Sequence, residues 1–152
     1  MTENDKDLND LERAIEIALH AHAGDTDKAG ETYIRHPLRV MEAMDTERER
    51  IVAVLHDVVE DSEWTFDQIE DEFDKDIRDA VELLTKDEDK REQMTDEEYY
   101  LTEFVPQAAE CEITRKVKRA DIEDNIDLTR LPEIDEDDLP RLQKYHKALQ
   151  EL

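Results

Sequence analysis

The sequence of 152 residues contains one cysteine, two glycines and four prolines. The lone Cys111 excludes an internal disulfide and any zinc site built from several thiolates. No apolar run is long enough to span a bilayer, and the first residues lack the charged-then-apolar pattern of a signal peptide. From these absences together we expect a cytoplasmic protein that does not enter membranes.

Basic residues are scarce as well, with 20 Lys and Arg against 45 Asp and Glu, for a formal net charge of -25. This sign of charge disfavours nucleic-acid binding through a broad basic face. Disorder is another interpretation of such a composition, but the regular apolar spacing of the chain argues against it. We favour a halophilic surface, on which dense cytoplasmic salt screens the repulsion between carboxylates.

Helix signals dominate the chain, since alternating β-branched runs bounded by turns are absent. Thr46 and Glu49 form a capping box that predicts the start of one helix, and Gly24 is the predicted C-cap of the first helix. Residues 86–93 lack apolar spacing and are predicted to form a charged loop, and Pro106 is predicted to kink or split a helix. The sequence predicts an all-α fold, with residues 1–152 forming one domain.

One apolar stretch, residues 51–61, is interrupted by His56, Asp57, Glu60 and Asp61. It is apolar on nearly all sides, which predicts a central buried helix that carries the adjacent His and Asp. If the helix is continuous, the two later carboxylates lie one turn beyond that dipeptide on the same face. Such groups are costly to bury unless they bind something. From this stretch alone, a metal site and a salt-bridged or capping cluster are equally good interpretations.

Other polar residues with apolar neighbours extend the candidate metal site. Imidazole and carboxylate groups in such a mixture suit Mn, Fe, Co, Zn or Ni. His20, His22 and His146 are predicted to be helix-surface or core-edge histidines instead of ligands. The candidate metal ligands are His36, His56, Asp57 and Asp121.

Because basic residues are scarce, their positions carry information. Residues 115–119 contain four of them just before Asp121, and Lys28 and Lys86 flank other polar motifs. Positive charge around a carboxylate-rich metal site would attract an anionic substrate. The alternative, an amphipathic helix whose basic side pairs with surface acids, has equal weight for residues 115–119 as a group.

Five motifs, in this order, resemble those of HD-domain metal-dependent phosphohydrolases. They are similar, more closely, to the hydrolase domain of RelA/SpoT-type alarmone enzymes and their small stand-alone relatives. Each motif is weak by itself, whereas five in order are strong, and the resemblance runs from about Leu11 to Leu128. The motifs are His22-Ala-Gly24, Gly30-Glu-Thr-Tyr-Ile-Arg-His-Pro-Leu38, Leu55-His-Asp-Val-Val-Glu-Asp61, Leu84-Thr-Lys86 and Lys118-Arg-Ala-Asp-Ile-Glu-Asp-Asn125.

The resemblance implies a single HD-domain helical bundle that binds one Mn²⁺ ion. It implies that Glu60 and Asp61 position or activate the water that attacks the 3′-pyrophosphate of ppGpp, and that Asn125 belongs to the nucleotide site. It carries the metal ligands over onto His36, His56, Asp57 and Asp121. The expected substrate-binding residues are Lys28, Lys86, Lys118 and Asn125.

The chain departs from the sequence pattern of the family in two of these motifs. Asp25 and Asp27 stand where the first loop of the family has glutamine and an arginine that packs on guanine, although Lys28 remains. Ile122 replaces the arginine of the family's Ala-Asp-Arg motif. Arginine supplies planar stacking and bidentate phosphate binding that aspartate and isoleucine cannot supply.

The expected function is a metal-dependent phosphohydrolase of the (p)ppGpp 3′-pyrophosphohydrolase type. Two alternatives stay open: an HD hydrolase of another phosphorylated metabolite or nucleotide, and a regulatory module that binds a nucleotide or metal without turnover. The expected partner is a small phosphorylated molecule, a nucleotide in the main interpretation, with no nucleic acid and no membrane. A homo-oligomer is compatible with the sequence.

Overall fold

Helices make up the regular structure of the chain. The computed structural model describes residues 6–152, which contain no strand beyond one isolated bridge between Thr26 and Thr32. This confirms the all-α prediction, and no helix in the described range is long and apolar enough to cross a bilayer. The α-helices are α1 (Asp10–Ala21), α2 (Arg35–Glu42), α3 (Glu47–Leu55), α4 (Val58–Asp61), α5 (Phe66–Glu72), α6 (Lys75–Leu83), α7 (Glu88–Arg91), α8 (Asp96–Tyr99), α9 (Val105–Ala108), α10 (Glu112–Asn125) and α11 (Asp138–Glu151).

Capping boxes set the starts of three of these helices. Asn9, Thr46 and Thr65 each accept a hydrogen bond from the backbone N–H three residues later. The side chain at that later position bonds back to the N–H of the cap, so two groups that the first turn leaves unpaired are satisfied. The capping box predicted at Thr46 is confirmed.

Helix α3 is the centre of the hydrophobic core, as the sequence predicts. Residues 51–55 are each at most 5% exposed, and α3 packs against α1, α2, α6 and α10. Burying one such Val, Leu or Ile side chain contributes about 1.5–3 kcal/mol. A second apolar cluster, which includes Tyr99, Phe104, Ile122 and Ala148, joins α10 to the last helix. Helices α3 and α10 therefore present their polar residues from a rigid support.

The central helix does not continue through Asp61, because α3 ends at Leu55. His56 Nδ1 donates to the carbonyl of Ala53 at 2.6 Å, and a continuous helix would pair that carbonyl with the N–H of Asp57. A one-turn helix, α4, then carries Glu60 and Asp61. The His-Asp pair thus sits at a break in the backbone at the end of the central helix.

Three other boundaries differ from the sequence-based expectations or refine them. His22 is the C-cap of α1, and Gly24 lies beyond it in the left-handed region at φ 82°, which only glycine adopts readily. The predicted loop at 86–93 contains the one-turn helix α7, whose first N–H groups bond to the side chain of Asp87. Near Pro106 the helix is split by the π-helical segment Tyr100–Phe104, in line with the predicted interruption.

Candidate metal centre and substrate cleft

Three predicted metal ligands converge from three helices. His36 from α2, His56 from the end of α3 and Asp121 from α10 each offer a ligand atom within 4.8 Å of the others. His36 Nε2 lies 2.8 Å from Asp121 Oδ1, and His56 Nε2 lies 3.5 Å from the same oxygen. All three residues are at most 6% exposed. The core packing of α2, α3 and α10 therefore fixes two imidazoles and one carboxylate around one point.

The donor set fits a divalent transition metal. His56 Nδ1 donates to the Ala53 carbonyl, and a neutral imidazole that makes this bond has its lone pair on the other ring nitrogen. That nitrogen, Nε2, is buried and makes no hydrogen bond among the described residues, although carboxylate oxygens of Asp57 and Asp121 lie 3.1 and 3.5 Å from it. Metal-bound histidines are typically held in this way through the opposite ring nitrogen. The orphaned His56 Nε2, aimed at Asp121, is the observation that supports a metal here.

Asp57 borders this cluster instead of standing at its centre. Its Oδ2 lies 3.1 Å from His56 Nε2 and accepts a hydrogen bond from the Tyr33 hydroxyl at 2.5 Å. Burial, together with Asp57 and other carboxylates nearby, keeps the pKa of Tyr33 far above its usual range, so the hydroxyl stays a donor. Tyr33, which the sequence analysis did not single out, thus orients the fourth predicted ligand.

A carboxylate that sequence reasoning missed holds His36. Asp124 Oδ2 accepts from His36 Nδ1 at 2.6 Å, and its carboxylate also pairs with Arg39 and Arg130. Burial opposes the charge of Asp124, but hydrogen bonds from His36 and Arg39 outweigh it and lower the pKa of that carboxyl to about 2. Such a carboxylate behind a ligating histidine fixes the ring and raises its basicity. Its position three residues after Asp121, on the same face of α10, was the available signal.

Two of the predicted substrate-binding residues contact Asp121 directly. Lys118 Nζ lies 2.9 Å from Asp121 Oδ2, and Asn125 donates to Oδ1 at 3.1 Å. Burial disfavours the charge on Lys118, but Asp121 more than offsets it and keeps the pKa of the ammonium above its usual range. Both residues also line the cleft beside the cluster. They therefore orient a ligand carboxylate and face the space where a substrate would sit.

The two predicted catalytic carboxylates lie on α4 at the rim of the same cleft. Glu60 Oε1 accepts from the backbone N–H of Lys86 at 2.8 Å, which fixes one oxygen. Asp61 Oδ2 lies 3.7 Å from Nδ1 of the buried His22. Burial, followed by the charges of Asp57 and Glu60, raises the pKa of Asp61 to about 6. A carboxyl group with this pKa can exchange protons near neutral pH.

The cleft next to the cluster has a volume of about 290 Å³ and an unusually basic wall for this acidic chain. The predicted Lys86 and Lys118 line it, and so does Lys144 from α11, which the sequence analysis overlooked. Lys144 was hard to find because it lies outside the recognised motifs, on an ordinary amphipathic helix. The cleft thus combines an acidic floor of candidate metal ligands with a wall of three lysines.

A second cavity of about 240 Å³ adjoins the cleft and shares Tyr33, His36, Asn125 and Tyr145 with it. The predicted Lys28 lines this second cavity together with Arg130 and Arg141, so it lies apart from the other predicted lysines. In the same cavity, Asp27 Oδ2 lies 3.6 Å from Arg130 Nη1. The acidic substitution in the first loop is therefore matched by an arginine that comes from the turn after α10.

Comparison with known protein families identifies the class of this architecture. The sequence profile described as "HD domain" matches residues 14–126, which is most of the chain. The chain therefore belongs to the HD domain family. Its match includes every predicted metal ligand and both carboxylates of α4.

Curated relatives narrow the resemblance within that family. The chain is 38% identical over 86 residues to a putative chloroplastic GTP diphosphokinase of Arabidopsis thaliana, covering 53% of this chain and 10% of the relative. It is 36% identical over 81 residues to a guanosine-3′,5′-bis(diphosphate) 3′-pyrophosphohydrolase of Aquifex aeolicus, covering 51% and 12%. It is 38% identical over 80 residues to the bifunctional (p)ppGpp synthase/hydrolase SpoT of Escherichia coli, covering 50% and 11%. The matched regions span about a tenth of these relatives.

A solved structure shares the fold over nearly the whole chain. It is that of a metazoan ortholog of SpoT, a protein described as one that "hydrolyzes ppGpp and plays a role in starvation responses". The TM-score is 0.77 at 21% sequence identity, covering 97% of this chain and 87% of that chain. At this identity the likeness establishes the HD-type helical fold alone.

Proposed function

We propose that the protein is a metal-dependent phosphohydrolase that acts on (p)ppGpp. The observation that carries the proposal is the buried, unpartnered His56 Nε2, which faces Asp121 beside a lysine-lined cleft. A site that combines metal ligands, a carboxyl group of raised pKa and several cations has the parts that phosphoester hydrolysis needs. The proposal also rests on the names of the relatives from Aquifex aeolicus and Escherichia coli.

The metal would be held by His36, His56, Asp57 and Asp121, and we propose that it is Mn²⁺. Mixed imidazole and carboxylate ligands suit this ion, although they also suit Fe, Co, Zn and Ni. When bound, such an ion lowers the pKa of a water molecule and polarises a phosphoryl oxygen. Asp124, behind His36, and Lys118, on the outer oxygen of Asp121, would keep the ligands oriented for it.

The residues of α4 would handle the attacking water. Asp61, with a pKa raised to about 6, would accept its proton near neutral pH. Glu60, fixed through the Lys86 N–H, would orient the water. The water oxygen would bond to the phosphorus that is attached to the 3′ oxygen. The bond between this phosphorus and the 3′ oxygen would break, and the 3′ oxygen would take a proton. The products from ppGpp would be GDP and pyrophosphate.

The adjoining cavity would receive the nucleoside and its 5′ phosphates. Lys28, Arg130 and Arg141 supply positive charge there, and Asn125 links this cavity to the metal cleft. Asp27 stands where the family has its first-loop arginine, and Arg130 pairs with Asp27. Arg130 therefore places a planar guanidinium in the region from which the family's arginine is missing. Arg130 is therefore our candidate for the group that packs against the base.

A substrate panel tests this proposal. The protein, loaded with Mn²⁺ in molar KCl, is incubated with ppGpp, pppGpp, NADPH, GTP, dNTPs and 5′-nucleotides, beside an Asp57→Ala variant. Pyrophosphate release from ppGpp that disappears in the variant is the expected result. Release from a different substrate would keep the chemistry and overturn the specificity. Metal and ppGpp binding without any product would favour a regulatory binding module instead.

A further inference from the structure

Lysines in the described part of this chain fall into two groups. Beyond residue 10, five of them lie within 4.0 Å of a carboxylate: Lys75, Lys90, Lys116, Lys118 and Lys147. In the same range, Lys28, Lys86 and Lys144 have no described carboxylate within that distance, and all three line the cavities at the site. In a chain with 45 acidic residues, the lysines beyond residue 10 that lack an acidic partner are thus gathered where an anionic ligand would bind.

Aromatic rings support the lysines of the metal cleft. Lys144 Nζ lies 4.7 Å from the centre of the Tyr100 ring and 4.8 Å from that of Tyr145. Lys118 Nζ lies 5.3 Å from the same Tyr100 ring, and Lys86 Nζ is 5.9 Å from the Phe104 ring. Cation–π contacts of this kind hold an ammonium group in place without neutralising its charge. The three ammonium groups therefore face one space while keeping their attraction for an anion.

Repulsion between the closely spaced lysines is a physical reason to expect an anionic ligand at the lysine side of the cleft. Lys144 is partly buried, and burial, followed by the charges of Lys86, Lys28 and Lys118, lowers the pKa of its ammonium group. Lys28, Lys86 and Lys144 have no ion pair among the described residues, so their like charges repel each other, and a bound polyanion would relieve that repulsion. The arrangement is destabilising by itself and favourable once such a ligand is present.

The three lysines of the cleft are not equivalent, because Lys118 is tied to Asp121 whereas Lys86 and Lys144 have no ion pair among the described residues. A phosphate at the metal ligands would therefore contact Lys118 first and leave the other two ammonium groups for a second phosphate. We infer that Lys144, together with Lys86, forms a binding site for the distal phosphate of a diphosphate group. This inference rests on the proposed function, since it assumes that the proximal phosphate lies at the metal ligands.

Two matched substrates test the assignment of Lys144. Guanosine 5′-diphosphate 3′-diphosphate and guanosine 5′-diphosphate 3′-monophosphate differ only in the distal phosphate. The Lys144→Ala variant should lower the ratio of kcat/KM for the diphosphate to kcat/KM for the monophosphate by about 10- to 100-fold, the value of a charged hydrogen bond. Lys144→Arg should restore most of the ratio. An unchanged ratio, or an equal loss on both substrates, would overturn the inference.

A matched control lies on the same helix. Lys147 is exposed, pairs with Glu97 at 3.5 Å and does not line the cleft. Lys147→Ala therefore removes a lysine of α11 without changing the lining of the cleft. Its substrate ratio should equal that of the unmodified protein. A comparable fall of the ratio in this variant would contradict a specific role for Lys144.

A binding measurement separates this inference from the proposed hydrolysis. The Mn²⁺-loaded protein is titrated calorimetrically with inorganic pyrophosphate and with orthophosphate. Lys144→Ala should weaken pyrophosphate binding about tenfold or more relative to orthophosphate binding. If the protein hydrolyses neither nucleotide but shows this selective loss, the distal site stands and the hydrolase proposal falls. Equal binding of pyrophosphate by the variant and the unmodified protein would remove the distal site.

Discussion

The metal cleft and the adjoining cavity are built in different ways. Three of the four candidate ligands of the cleft are buried side chains on helices that pack in the core, and bonds to Ala53, Asp124 and Lys118 hold them in place. The adjoining cavity is lined by the first loop and the chain after α10, which bring Asp27 and Arg130 together. From this difference we infer that catalysis would depend on the packed helices, whereas the choice of substrate would depend on loop segments, which tolerate sequence change more freely.

Removing a central ligand should break the metal cleft and produce the largest effect. His56→Ala should abolish tight metal binding and reduce phosphohydrolase activity by several orders of magnitude, because a buried ligand atom is lost. Elemental analysis measures the metal content of the variant, and turnover at saturating metal measures its phosphohydrolase activity. His20→Ala, which removes an exposed histidine of α1, serves as the control and should retain both properties. A His56→Ala variant with full metal content would contradict the assignment.

Replacing the proposed general base, Asp61, while the metal stays bound should have the second-largest effect. Asp61→Asn should reduce kcat by about 10²- to 10⁴-fold, the range for loss of general base catalysis. Metal content should stay close to that of the unmodified protein, because Asp61 is not among the candidate ligands. Single-turnover kinetics and elemental analysis on the same sample test this. Normal kcat in Asp61→Asn would assign the proton transfer to another group.

The support behind His36 should matter less than the ligands themselves. Asp124→Asn should weaken metal affinity by about 10- to 100-fold, as loss of the partner of a ligating histidine does. Competition with a chelator of known affinity gives the value. Arg48→Ala, which removes an exposed ion pair with Asp74, is a control for general effects of charge removal. Unchanged affinity in Asp124→Asn would show that His36 needs no such support.

A change in the adjoining cavity should affect substrate binding more than chemistry. Arg141 lines this cavity, so Arg141→Ala should raise KM for ppGpp about tenfold while kcat changes little. Steady-state kinetics at saturating Mn²⁺ separate the two parameters. A fall in kcat with unchanged KM would show that the cavity and the metal cleft are not separate in function.

Salt should act gradually on the whole molecule, through its exposed charges. With a net charge of -25, raising KCl from 0.1 M to 1 M shortens the Debye length from about 10 Å to about 3 Å and weakens the repulsion. The thermal unfolding midpoint should rise by several degrees. The buried ion pairs of the metal cleft should respond less. A midpoint that falls with added KCl would contradict the interpretation of the surface as halophilic.

The sequence predicted the parts of the molecule that are encoded locally. The capping box at Thr46 and the apolar stretch of α3 gave a helix start and a buried centre, and both are confirmed. The break after Leu55 could not be predicted, because it depends on a bond between the His56 side chain and its own helix. Lys144 was missed because its role depends on how α11 packs near the cleft, far along the chain from the motifs of α3 and α4.

The most direct test of the proposed hydrolysis is product analysis with metal-stripped protein in molar KCl. Folded protein is incubated with ppGpp before and after titration with Mn²⁺, and the products are separated by ion-exchange chromatography. We expect GDP and pyrophosphate in equal amounts, and only after the metal is added. Products without metal, or no product from folded protein that has bound the metal, would contradict a metal-dependent (p)ppGpp hydrolase.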